Sequence, residues 1–117
     1  FLDIVNDAKS RIKETNVDEV RTKQERGDKF YLVDVREDNE WNKGRLPNSI
    51  HLGKGIIERD IEKTISDTNS EIILYCGGGF RSAMAADHLQ YMGYKNVLSM
   101  DGGYTGWVNA GYPIEID

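Results

Sequence analysis

One cysteine, two prolines and two histidines are what this chain of 117 residues has least of, and each scarcity excludes something. A single cysteine cannot form an internal disulfide, so the fold asks for no oxidising compartment. So few prolines, with no serine-rich stretch and no repeat, leave no linker to divide the chain, and the length suits one domain with a real core. No apolar run approaches the roughly 20 residues that span a bilayer, and no signal-peptide core is visible. The formal charge is −5 with no cluster of Lys and Arg, which argues against a nucleic-acid partner, since that binding rests on phosphate neutralisation. A cytoplasmic protein with no membrane partner is the expectation. Phe rather than Met at position 1 leaves room for an upstream segment.

What is present is an alternation of helical and strand patterns. "FLDIVNDAKSRIKE" places Phe1, Val5, Ala8 and Ile12 near helical spacing, and reads as an amphipathic helix over residues 1–14, an extension packed on the domain (15–117) or on a partner. "NVDEVRTKQERG" reads as a short helix capped by Asn16 and stopped at Gly27. "KFYLVDV", "NSIHL", "EIILY" and "NVLSM" read as strands. Between them "EDNEWNKG" closes a short helix at Gly44, "IIERDIEKTI" sets Ile57, Ile61 and Ile65 on one helical face, and "RSAMAADHLQYMG" is a helix ended by Gly93. "GGYTGWVNAG" gives a turn and a short helix before an extended tail. Strands alternating with helices predict an α/β domain of three layers, a mainly parallel five-stranded sheet with helices on both faces. Ligands of such sheets sit beyond the carboxyl ends of the strands, and "EIILY" delivers Cys76 to that place.

The stretch "YCGGGFRSA" carries the chemistry. A loop between a strand and a helix aims backbone N–H groups and the positive end of the helix dipole at one spot. Gly77, Gly78 and Gly79 remove Cβ atoms, so the chain can curl into an anion nest with Phe80, Arg81 and Ser82 completing it. A thiolate in such a nest is stabilised, and its pKa falls from about 8.5 toward the reactive range. Arg81 adds a fixed charge and a fork of donors. The plain alternative is a buried structural cysteine before a flexible turn; the glycine run, the arginine and the strand–helix context together weigh against it.

"YCGGGFRSA", preceded by "VDVRE" and "GRLPNSIHL" and followed by "DGGYTGW", resembles the rhodanese family of sulfurtransferases, with the motifs in family order from about Val17 to Ile116. By that resemblance Cys76 is the nucleophile that carries persulfide sulfur, and residues 77–81 belong to the loop that cradles it. Asp34 and Arg36 match the family's aspartate–x–arginine, and "KGRLPNS" matches a stretch in which Arg45 replaces the usual His. The resemblance implies two steps: Cys76 takes sulfur from thiosulfate, a persulfide or a polysulfide, then passes it to cyanide or a thiol, on a small molecule or a protein. It implies no metal and no organic cofactor beyond the transient cysteine persulfide. Related phosphatases and arsenate reductases place the arginine six residues after the cysteine, whereas Arg81 follows Cys76 by five; the smaller cup suits a terminal sulfur. A module used only to bind a partner is the further alternative. The two-domain thiosulfate enzymes carry cations at the positions of Glu40 and Gly78, which leaves Arg81 as the main cation of this pocket.

The other polar and aromatic residues have plainer readings. Asp34 and Arg36 are expected as a structural ion pair near the site, and His51 and His88 as structural or surface residues rather than partners of the thiol. Arg45 faces either the pocket rim or solvent. Trp41 and Trp107 are expected in the core, and Gly102 and Gly103 in a tight turn capped by Asp101. Phe80 either forms an apolar mouth or simply packs.

Overall fold

The computed structural model describes residues 1–117. Its elements run α1 (Leu2–Lys9), β1 (Lys13–Asn16), α2 (Val17–Arg26), β2 (Tyr31–Asp34), α3 (Asp38–Lys43), β3 (Ser49–His51), α4 (Ile57–Thr64), β4 (Ile72–Tyr75), α5 (Phe80–Tyr91), β5 (Val97–Asp101) and α6 (Gly103–Asn109). The five strands form one sheet in the order β1-β5-β4-β2-β3, and every neighbouring pair is parallel. No helix is long and apolar enough to cross a membrane.

The central strand shows why the sheet needs cover on both sides. All four residues of β4 are buried, and they alternate between two cores as strand geometry demands. Ile72 and Leu74, with Cys76 just beyond, join Val33, Ile57, Ile61 and Leu89 in the larger cluster. Ile73 and Tyr75 join Val20, Leu32, Met100 and Trp107 on the other face. Ile57, Ile61 and Ile65 are all buried, so the four-residue spacing presents the expected face. Trp107 is fully buried, and its indole N–H donates to the Pro113 carbonyl at 2.8 Å.

The N-terminal segment departs from its periodicity. The helix stops at Lys9, where the Ser10 hydroxyl bonds back to the Asp7 carbonyl at 2.6 Å. Residues 13–16 then form the edge strand β1, paired with β5 from Lys13↔Leu98 to Asn16↔Asp101. Only Thr15 of that strand is buried, so a charged edge strand hid inside an apparent helical pattern. The shortened α1 buries Val5 and Ala8 and packs along α5. Arg11 ties the junction to α5 through a two-pronged bond to Asp87, at 2.9 and 2.8 Å. Asn16 caps α2 by accepting from the Glu19 amide at 2.9 Å, and Gly27 closes it in the left-handed region at φ 74°.

Candidate active site

Cys76 leaves the end of β4 and is buried to 1% exposure. The chain turns through Gly77 and Gly78 to Gly79, whose φ of 108° favours glycine and sets the first turn of α5. The amide of Gly79 donates to the Cys76 Sγ at 3.1 Å and that of Ser82 at 3.4 Å. The Ser82 hydroxyl lies 3.5 Å from the same sulfur. Burial pushes the Cys76 thiol up, but the Ser82 hydroxyl and the amides of Ser82, Gly79 and Gly78 outweigh it, and the thiol sits below its ordinary value.

The loop is held from behind by α6. The Tyr104 amide donates to the Cys76 carbonyl at 2.8 Å, and the Thr105 amide to the Gly77 carbonyl at 3.0 Å. The carbonyls are thus engaged by the neighbouring helix, and the loop amides are left to face the sulfur. Such an approach requires Gly103: its φ is 56°, and a Cβ there would stand 2.5 Å from the Cys76 oxygen and 2.6 Å from the Gly77 oxygen. Gly102 shares the left-handed turn at φ 86°. Asp101 does not cap it, since the N-terminus of α6 has no side-chain cap. The Asp101 carboxylate instead lies beside Gly79 and 3.9 Å from the Lys9 ammonium, because two left-handed glycines carry the chain away from it.

Asp34 and Arg36 brace that same helix. Arg36 Nη2 donates to Asp34 Oδ2 at 2.8 Å and to the Gly44 carbonyl at 2.6 Å, with Nε reaching both carboxylate oxygens at 3.1 Å. Its guanidinium lies 4.2 Å from the centroid of the Tyr104 ring, so the pair supports the residue whose amide holds the Cys76 carbonyl. Both side chains are buried, and neither bonds to the sulfur.

Arg81 is not free. Its Nη1 and Nη2 reach the two oxygens of Glu40 at 2.7 and 3.1 Å. Glu40 Oε1 also accepts from the Glu37 amide at 3.0 Å, closing the first turn of α3. The Arg81 guanidinium pulls the Glu40 carboxyl down to about 2, so this pair is charged at any working pH. Arg81 in turn is raised, by Glu40 first and then by the neighbouring Cys76 sulfur.

Several predicted residues lie elsewhere. Trp41 is a correction to the expected core: α3 buries none of its residues, and the indole stacks on His51 at 4.9 Å between centroids with the Arg45 guanidinium 4.6 Å away. A six-residue surface helix can hide only one side of so large a ring. Arg45 turns to the C-terminal tail, bonding the Trp41 carbonyl at 2.9 Å and pairing with Asp117. His51 Nε2 donates to the Arg36 carbonyl at 2.7 Å, and His88 pairs with Glu58 on the surface. Phe80 is exposed, edge-on to Phe1 at 6.1 Å and 5.6 Å below the Lys9 ammonium.

Sequence reading missed Ser99. It is fully buried on β5, and its hydroxyl lies 2.8 Å from that of Ser82. The available signal was a serine inside the otherwise apolar "NVLSM", because a buried hydroxyl requires a partner. The largest cavity, about 420 Å³, lies away from the site, lined by Asp28, Phe30, Tyr31 and Glu71 at the opposite ends of the strands.

This geometry has counterparts among known proteins. The model of the rhodanese-like domain matches residues 16–110. The chain is 33% identical over 96 residues to the putative sulfurtransferase YtwF of Bacillus subtilis, covering 82% of this chain and 90% of that protein. A Rhodopseudomonas palustris protein of unknown function, described as a possible tyrosine phosphatase, superposes with a TM-score of 0.88 at 30% identity, over 96% of this chain and 91% of its own. A thiosulfate sulfurtransferase from Pseudomonas aeruginosa shares the fold, with a TM-score of 0.84 at 21% identity; the match covers 93% of this chain and 21% of that one.

Proposed function

The chain belongs to the rhodanese-like family, and on that premise we propose that it is a sulfurtransferase in which Cys76 accepts a sulfane sulfur and hands it on as a persulfide. The observation that carries this reading is the convergence on one buried sulfur of the Gly79 and Ser82 amides and the Ser82 hydroxyl. Hydrogen bonds to a thiolate favour the charged, nucleophilic form.

In the first step the Cys76 thiolate attacks the outer sulfur of the donor. With thiosulfate, the S–S bond of the donor breaks, sulfite leaves with the electron pair, and Cys76 becomes a persulfide anion. The charge is unchanged overall, at minus three on each side. The loop amides hold the terminal sulfur's negative charge as an oxyanion hole holds oxygen. In the second step an acceptor nucleophile, cyanide or a thiolate, attacks that terminal sulfur and Cys76 thiolate leaves. The reading calls for no metal and no organic cofactor, and the acceptor thiol belongs to a small molecule or a protein. Arg81 stands five residues after Cys76, and the shorter loop favours a single sulfur atom over the tetrahedral oxyanion of a phosphatase.

Intact-mass measurement after incubation with thiosulfate or a polysulfide tests the reading. We expect a gain of one sulfur atom that cyanide removes and that Cys76→Ser abolishes. No gain from any donor, with the thiol shown to be free, would refute it.

A further inference from the structure

Each cation beside the cradle has a carboxylate on it. Arg81 is bound in two-pronged fashion by Glu40. Lys9, above the Phe80 ring, stands 3.9 Å from Asp101 and 3.6 Å from Glu14. Arg36, the other cation that acts on Glu40, is engaged by Asp34. A pocket that must accept a thiolate and a dianion together would want one of these charges free.

We propose that Glu40 is a specificity-determining residue: by occupying the guanidinium of Arg81 it selects sulfur donors carrying no more than one negative charge, the alkyl hydropersulfides and thiosulfonates, against dianionic thiosulfate. The proposal rests on the sulfurtransferase reading above and names its donor class. Glu40 makes no contact with the reacting sulfur; it acts through Arg81. For a hydropersulfide, R–S–SH, the Cys76 thiolate attacks the outer sulfur, the donor's S–S bond breaks, and R–S⁻ leaves with the pair while the proton stays on the new persulfide. For a thiosulfonate, R–SO₂–S⁻, the leaving group is the sulfinate R–SO₂⁻. Both steps balance without an added oxidant or reductant. The glutamate is held at two points, by Arg81 and by the Glu37 amide that begins α3, so the neutralising charge is built into the helix start rather than carried on a loose side chain.

The test compares two donors with the same kind of scissile bond and different charge. The rate constant for persulfidation of Cys76 is measured by quenched intact mass with thiosulfate and with methanethiosulfonate, a monoanion. Glu40→Gln keeps the shape and removes the charge. We expect thiosulfate to react at least about tenfold faster in that variant, a conservative figure for one unit charge removed at close range. Methanethiosulfonate should gain less than about threefold, because it carries half the charge. Glu40→Asp, which retains the carboxylate, should keep the donor ratio of the unmodified protein. Equal factors for both donors in Glu40→Gln, or no acceleration with thiosulfate, would overturn the proposal, since a merely structural glutamate moves both donors together. Persulfide formation in every variant with an unchanged donor ratio refutes the charge selection alone. Absence of persulfide from both donors refutes the sulfurtransferase reading itself.

Discussion

Replacing Gly103 by alanine is expected to damage the cradle from a residue that never touches the sulfur. The new Cβ would stand 2.5 Å from the Cys76 carbonyl oxygen and 2.6 Å from that of Gly77, both of them backbone atoms that cannot swing aside. To relieve this, the start of α6 must retreat from the loop, and the bonds from Tyr104 N at 2.8 Å and Thr105 N at 3.0 Å are lost or stretched. Two backbone hydrogen bonds are worth about 1 kcal/mol each. Holding alanine at the φ of 56° found here adds roughly 1 to 2 kcal/mol. The sum, about 3 to 4 kcal/mol, is a large part of a typical domain's stability of about 5 to 15 kcal/mol. For a chain of this size it corresponds to a fall in Tm of roughly 10 to 15 °C. Once free, the two carbonyls no longer force the loop amides toward the sulfur, so the pH midpoint of Cys76 alkylation by iodoacetamide should rise. Gly78→Ala is the control: nothing lies within 4 Å of its Cβ position, and a change within about 1 kcal/mol is expected. A Gly103→Ala protein that melts within about 3 °C of the parent, a shift worth less than about 1 kcal/mol, with an unchanged alkylation profile, would refute the claim that α6 sets the loop.

Three further outcomes follow from the buried groups. Ser82→Ala removes the hydroxyl beside the sulfur and strands the Ser99 hydroxyl in the core, so denaturant unfolding should show a loss of about 1 to 3 kcal/mol and alkylation should need a higher pH. In the parent the Cys76 thiol is depressed, so its alkylation rate should rise with pH through a midpoint lower than that of the unfolded chain. The same sign governs stability: the thiolate's contribution is complete above about 8.5 and vanishes as pH falls through the folded value. Asp34→Asn leaves Arg36, 4% exposed, without its counter-charge; urea titration should show a loss of about 3 to 5 kcal/mol, and a loss under about 1 kcal/mol would contradict the bracing role.

Local pattern made much of this molecule legible. The apolar runs around Val33 and Leu74 announced strands buried on both faces, and the three isoleucines of α4 announced a buried stripe. Gly27 and Asn16 marked the limits of α2 through chemistry that needs no distant partner. The edge strand β1 was different. "KETN" has no apolar alternation, and it is a strand only because β5 lies alongside to receive its hydrogen bonds. Trp41 was misjudged because a large aromatic usually signals a core, whereas here Arg45 and His51 cover its faces at the surface.

Sequence by itself determined the make-up of the cradle: a cysteine at the end of a strand, three glycines to bare the amides, and an arginine five residues on. Those features depend on contiguous residues, whose geometry the backbone largely dictates. Only the tertiary structure decided the charge and orientation of that cradle. Glu40 meets Arg81 across 41 positions, Ser99 meets Ser82 across 17, and the α6 amides reach back to the carbonyls of Cys76 and Gly77. Each of these is a pairing between elements that only folding brings within hydrogen-bond reach, and Coulomb and hydrogen-bond energies depend on that distance rather than on separation along the chain.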